Sequence, residues 1–198
     1  MEERNQKWIE EQMALQCAPL FAGLKLSNLL IIPKALSEEL GKRIIRTNFC
    51  AYCLSSYGEK KIYLLYRRKE LMSYLEEKEV RQLLFDLGYT EWSLERLLEQ
   101  VSIQYTKHLA GTAQFPHELG LLLGYPAVDV RGFMEHEGKD FLYSGYWKVY
   151  GNLKETLYLF QEFGKAREFF IRMTKAGYSI AEVAEFYVRR KQNILAAG

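Results

Sequence analysis

The chain has little of several things, and each shortage excludes a class. Only three cysteines occur in 198 residues, Cys17, Cys50 and Cys53. An odd, low count fits reduced thiols rather than a disulfide framework. Four prolines and no long Pro/Gly/Ser tract leave no composition for a linker. Charge of one sign is not in excess: 27 Lys+Arg against 25 Asp+Glu give a net +2. That balance argues against nucleic acid and against an anionic membrane surface. The longest apolar run, Leu29-Leu30-Ile31-Ile32-Pro33, is far short of a membrane span. The opening Met1-Glu2-Glu3-Arg4-Asn5 has no apolar h-region, so no secretory signal and a cytoplasmic location are expected.

What is present is globular composition, 48% apolar and 26% charged residues. The length suits one domain over residues 1–198, with 1–16 a separable N-terminal helix and 192–198 a flexible tail. Residues 2–16 read as a surface helix anchored by Trp8, Ile9 and Met13, which Cys17-Ala18-Pro19 should end. Asn28–Ile32 reads as a buried strand, and Ser37 as the N-cap of a helix to Arg46. Phe49–Ser55 and Lys61–Arg67 flank a Gly58 turn as a hairpin. Val80, Leu83, Leu84 and Leu87 have helical spacing, as do Leu94, Leu97, Leu98, Val101 and Tyr105. Pro116–Leu123 should form two helical turns between Pro116 and Gly124, and Ala127 to about His136 another short helix. Phe141–Tyr150 reads as a strand. Asn152-x-x-Glu155 and Ser179-x-x-Glu182 read as capping boxes opening two last helices, the first reaching Ala176. Strands early and helices late predict an α+β fold: a small sheet of about four strands covered on one face by helices, with a helix-rich C-terminal half.

Three segments carry chemistry-bearing residues. Cys17 lies near Gly23-Leu24-Lys25, and a thiol beside a lysine can be activated as a nucleophile. Phe115-Pro116-His117-Glu118 opens a helix whose N-terminal dipole favours the Glu118 carboxylate and a neutral His117, suited to act as base or ligand. The segment is not H-E-x-x-H, because Leu121 stands three residues after Glu118, so no zinc-protease site and no metal is assigned. Gly145-Tyr146-Trp147-Lys148-Val149-Tyr150 puts aromatics around a cation, a pattern that stacks flat ligands and holds anions. Each segment has a plainer reading: a buried cysteine, a capped helix start, an aromatic core strand. Cys50-Ala51-Tyr52-Cys53 sits in a strand, where residues three apart face opposite ways, so its thiols read as small buried hydrophobes. Gly177–Glu185 is similar to the first helix of a helix-turn-helix, but too little chain follows for a recognition helix.

The motifs Cys17-Ala18-Pro19…Gly23-Leu24-Lys25, Phe115-Pro116-His117-Glu118-x-Gly120-x-x-x-Gly124-Tyr125-Pro126 and Gly145-Tyr146-Trp147-Lys148-Val149-Tyr150 together resemble a domain-of-unknown-function family of anaerobic Gram-positive bacteria. The resemblance runs from about residue 10 to 185 and implies a stand-alone bacterial cytoplasmic protein, with no activity or cofactor to carry over. Cys50 and Cys53 fall outside its pattern. The residues themselves favour a small-molecule or cofactor site, with Cys17, His117 and Glu118 as catalytic candidates and Lys25, Tyr146, Trp147 and Lys148 as ligand-binding candidates. Such a site belongs to a binding protein or to a thiol/His-dependent enzyme, and the sequence does not decide between the two. A protein-interaction module using exposed tyrosines is the alternative. Spacing alone does not decide whether residues 17, 117 and 147 meet.

Overall fold

A computed structural model describes residues 2–45, 47–90 and 93–196, the backbone alone over 191–196. The chain runs α1 (Glu2–Phe21), β1 (Ser27–Pro33), a 3₁₀ turn (Lys34–Leu36), α2 (Ser37–Ile44), β2 (Cys50–Tyr57), β3 (Lys60–Tyr66), α3 (Arg68–Leu75), α4 (Lys78–Asp86), α5 (Leu94–Leu109), α6 (Glu118–Leu122), α7 (Ala127–Glu135), β4 (Tyr143–Ser144), β5 (Lys148–Val149), α8 (Leu153–Lys175) and α9 (Ile180–Ala196). The fold is α+β. Residues 197–198 of the expected tail, and Arg46 at the expected end of α2, lie outside the described residues.

Strand β3 is the centre of a three-stranded antiparallel sheet, in the order β1-β3-β2. Gly58, at φ +53, makes the tight turn that joins β2 to β3. Successive strand residues point to opposite faces, and β3 is apolar on both. Leu64 packs with Leu54 and helices α3–α7, whereas Leu65 packs with Leu30, Ile32 and the helices α1, α2, α8 and α9. Helices therefore cover both faces rather than the one expected. The strand expected over Phe141–Tyr150 is a separate two-stranded hairpin, β4–β5, which reverses where the Gly145 amide donates to the Trp147 carbonyl.

Several local expectations fail, those about α1 for tertiary reasons. Pro19 does not end α1, which continues to Phe21. A proline inside a helix leaves the carbonyl four residues back without its donor, and here Arg167 Nε of α8 donates to that Leu15 carbonyl at 3.1 Å. The neighbouring Gln16 carbonyl accepts from Asn28 Nδ2 at 2.6 Å. The same helix lies along the outer edge of β1, and the Gln16 amide pairs with both backbone groups of Ile31. Its Ile9, Met13, Ala14, Cys17 and Ala18 are buried, so it is far more of a core helix than its polar composition suggests. Asn152 makes no side-chain cap on α8; it takes the left-handed conformation at φ 45, which asparagine tolerates. The Ser179–Glu182 box does form, with the Glu182 carboxylate accepting from the Ser179 amide at 2.8 Å and the Ser179 hydroxyl accepting from the Glu182 amide. Ser37 falls one residue inside α2 and donates back to the Lys34 carbonyl.

Candidate functional site

The densest sequence segment becomes a corner. Pro116 precedes the single turn of α6, and Gly124, at φ +70, closes it: the Gly124 amide donates to Leu121 and the Tyr125 amide to Gly120. This is a Schellman ending, which requires a residue free to adopt positive φ. Pro126 then opens α7. The corner brings α6 and α7 together through Gly120, where an added Cβ would sit 3.0 Å from Val130. At Gly132 an added Cβ would lie 2.4 Å from the Tyr150 ring, so this glycine lets the β4–β5 hairpin close on α7.

Between the corner, α7, the end of α5 and the hairpin lies a cavity of about 330 Å³. Half of its lining residues carry rings: Tyr105, Phe115, His117, Tyr125, Phe133, Tyr146 and Trp147, with Leu29, Leu119, Leu123 and Val130 filling between them. Lys148 and Asp129 also line it. Because the hairpin reverses at Gly145–Trp147, Tyr146, Trp147 and Lys148 all reach this cavity, although a continuous strand would have set Trp147 on the opposite face.

Asp129 organises the wall and was not a sequence candidate. It is 2% exposed. Its Oδ2 accepts from Trp147 Nε1 at 2.7 Å, and its Oδ1 from the amides of Tyr150 and Gly151 at 2.8 and 2.9 Å. It also sits in the first turn of α7, where the helix dipole favours a carboxylate. Trp147, so fixed, stacks on Tyr125 with centroids 4.8 Å apart and meets Phe160 edge-on at 4.6 Å. Tyr125 is anchored in turn, its carbonyl accepting from the Tyr74 hydroxyl. Burial pushes the Tyr125 hydroxyl up to about 12, so it stays a neutral donor. The one signal that could have found Asp129 is a lone acidic residue three after Pro126, at a helix start.

His117 lies against Phe115 and Phe133, with ring centroids 5.9 and 5.7 Å away. Burial lowers its pKa below the usual histidine value, partly opposed by Glu118, so the imidazole is neutral at pH 7. Among the described residues no hydrogen bond to its ring is found, and it faces the cavity as a neutral donor–acceptor. Glu118 turns the other way. It is buried and accepts from the Tyr89 hydroxyl at 2.6 Å, raising that phenol's pKa in addition to the effect of burial.

Cys17 and Lys25 are together, but outside the cavity lining. Cys17 is 0% exposed and its Sγ donates to the Leu29 carbonyl at 3.4 Å, helping α1 hold the edge of β1. Burial pushes its thiol up to about 12, against the pull of Lys25 and Asn28. Lys25 Nζ donates to Asn28 Oδ1 at 3.1 Å and lies 5.2 Å from the Tyr125 ring centroid, on a ring that also walls the cavity. Burial lowers its ammonium to about 8. The structure thus joins His117, Tyr146, Trp147 and Lys148, and separates Cys17, Lys25 and Glu118 from them. Cys50 is half-buried and Cys53 exposed on β2, so neither is the buried hydrophobe the sequence suggested. Among the described residues no cluster of three or more His, Cys, Asp or Glu is placed to hold a metal, and no helix is long and apolar enough to cross a membrane.

A family model described as "Protein of unknown function (DUF3793)" matches residues 13–184. The chain belongs to this family. The DUF3793 match takes in every residue of the cavity wall as well as Cys17 and Lys25. No curated protein and no solved structure matches the chain.

Proposed function

We propose that this chain is a cytoplasmic small-molecule-binding protein whose aromatic cavity takes a flat, ring-bearing ligand. One observation carries the reading: seven aromatic or imidazole rings converge on a cavity of about 330 Å³. That volume is at the lower end of small-molecule sites, which are typically apolar with a few placed polar groups. Here the polar groups are His117, Lys148 and the cavity tyrosines. Rings favour offset-stacked and edge-on partners, so a planar ligand gains more from these walls than a flexible aliphatic one. His117, neutral and without a protein partner among the described residues, supplies a hydrogen bond or accepts a proton from the ligand. Cys17 is assigned to the packing of α1 on β1, and no thiol nucleophile enters the reading.

The test is a calorimetric titration with 2-naphthamide, a planar neutral probe, on the wild type and on Leu29→Trp. Leu29 is half-buried at the cavity wall, so a larger ring there fills the space from its accessible side. One-to-one binding that Leu29→Trp removes, with the melting temperature kept, is expected. Equal binding by both proteins, or no binding of any planar naphthyl probe, overturns the reading.

A second reading, docking of a protein partner, rests on three consecutive exposed apolar residues, Phe141, Leu142 and Tyr143, beside the cavity. Leu142→Asp would then abolish partner binding and leave 2-naphthamide binding unchanged.

A further inference from the structure

The polar groups around the cavity are not equally committed, and the imbalance bears on the chemistry of the ligand. Asp129 is engaged by three donors. Lys148, the one lysine or arginine on the described wall, has a single hydrogen bond, from Nζ to the Gly138 carbonyl at 2.6 Å. An ammonium has three N–H donors, so two remain. Its charge rests over the rings of Phe133 and Phe141, with centroids 5.6 and 4.9 Å from Nζ, a setting that favours a cation yet does not neutralise it. Among the described residues no carboxylate forms a salt bridge with Lys148, and Glu137 of the adjacent loop pairs with Lys139 at 3.5 Å.

The loop that meets the Lys148 ammonium is conformationally unusual. Glu137, Gly138 and Asp140 all have positive φ, at 50, 71 and 53 degrees. Two of these are non-glycine residues, in a conformation that side chains disfavour. A Cβ on Gly138 would sit 3.0 Å from the Phe133 ring and 3.3 Å from Lys148 Nζ, so the glycine lets the carbonyl close on the ammonium. Phe133 touches both the Lys148 ammonium and the His117 ring.

We infer that the ligand of the cavity is a planar aromatic anion: its carboxylate or phosphate pairs with Lys148 while its ring lies along Phe133 within reach of His117. The inference rests on the cavity reading above. Apolar, ring-lined surroundings strengthen a charge-assisted hydrogen bond relative to water, so the charged group of the ligand should contribute strongly to affinity.

The test compares 2-naphthoate, 2-naphthyl phosphate and 2-naphthamide by calorimetry, on the wild type, Lys148→Met and Lys148→Arg. Methionine keeps the apolar stem between Phe133 and Phe141 and removes the charge. The wild type should bind at least one anion about tenfold or more tighter than the amide. Which anion wins identifies the headgroup as carboxylate or phosphate. Lys148→Met should erase the preference and Lys148→Arg largely keep it. The preference should shrink as salt is added, a reading that needs no variant. If amide and anions bind equally, and Leu29→Trp still blocks all of them, the anion inference falls and the cavity reading stands. If Lys148→Met binds well-folded and keeps the full preference, the inference also falls. If no probe binds in a manner sensitive to Leu29→Trp, both fall.

Discussion

Asp129→Asn is the most informative single change. The native carboxylate accepts three hydrogen bonds, one from the Trp147 indole and two from backbone amides, at a site 2% exposed. Asparagine has one acceptor oxygen. If that oxygen takes the two amides of Tyr150 and Gly151, the NH₂ group faces the indole N–H, donor against donor. If it takes the indole, the NH₂ group faces two amides. Either way at least one buried donor loses its partner, at a cost of about 1–3 kcal/mol, and the surviving bonds lose their charge assistance. A total near 3 kcal/mol corresponds to a melting-temperature drop of roughly 6–12 °C for a chain of this size. The assay is scanning calorimetry together with the Trp147 indole N–H resonance, which should move upfield on losing its anionic acceptor. A variant melting within a degree of the wild type, with that resonance unmoved, would refute the assignment of Asp129 as the anchor of the hairpin.

Three further outcomes follow from the geometry. Iodoacetamide at pH 8 should alkylate exposed Cys53 first and leave Cys17 intact until denaturation, because burial removes access and holds the Cys17 thiol near 12; peptide mapping reads this, and early Cys17 labelling would contradict it. Lys25 titrates near 8 when folded against an ordinary value of 10.5, so below pH 8 both states carry the charge and folding bears its desolvation. As pH rises from 8 to 10.5 the folded chain binds fewer protons than the unfolded one and that cost fades. Lys25→Met should therefore raise the melting temperature at pH 7 and lose this advantage by about pH 10.5; an advantage constant with pH would overturn the account. Arg167→Met should destabilise by about 1 kcal/mol, measured by urea unfolding, through the orphaned Leu15 carbonyl opposite Pro19, whereas the same change in a Pro19→Ala background should cost measurably less.

Local pattern carried much of the fold. The hairpin of β2 and β3 is written in β-favouring residues around Gly58, and α4 and α5 in leucines at helical spacing, since these signals act over neighbouring residues. Where the chain departs from its local pattern, a distant residue is responsible. Pro19 is tolerated because Arg167, far along the sequence, replaces the missing donor. The two-sided burial of β3 depends on which helices return to each face, and nothing near Leu64 or Leu65 encodes that return. The site divides in the same way. His117, Tyr146, Trp147 and Lys148 were visible as residue types, and the fold brings them together. Adjacent helix residues point about 100° apart, which is why Glu118 leaves with Tyr89 while His117 stays. Cys17 and Lys25 are reactive residue types, but spacing does not show that they pack against β1 and Tyr125. Asp129 and Phe133 carry no local signal, because a single acid or phenylalanine in a short helix looks ordinary until its partners are known.

We propose the ring-lined space between α6, α7 and the β4–β5 hairpin as a ligand site. The most direct measurement is an NMR titration with 2-naphthoate that follows the ring resonances of His117 and Trp147. For a ligand held there, both shift together, saturate at one equivalent, and do so without change at exposed rings outside the cavity lining such as Phe85 and Tyr158. Unmoved His117 and Trp147 resonances, or shifts of equal size at Phe85 and Tyr158, would contradict it.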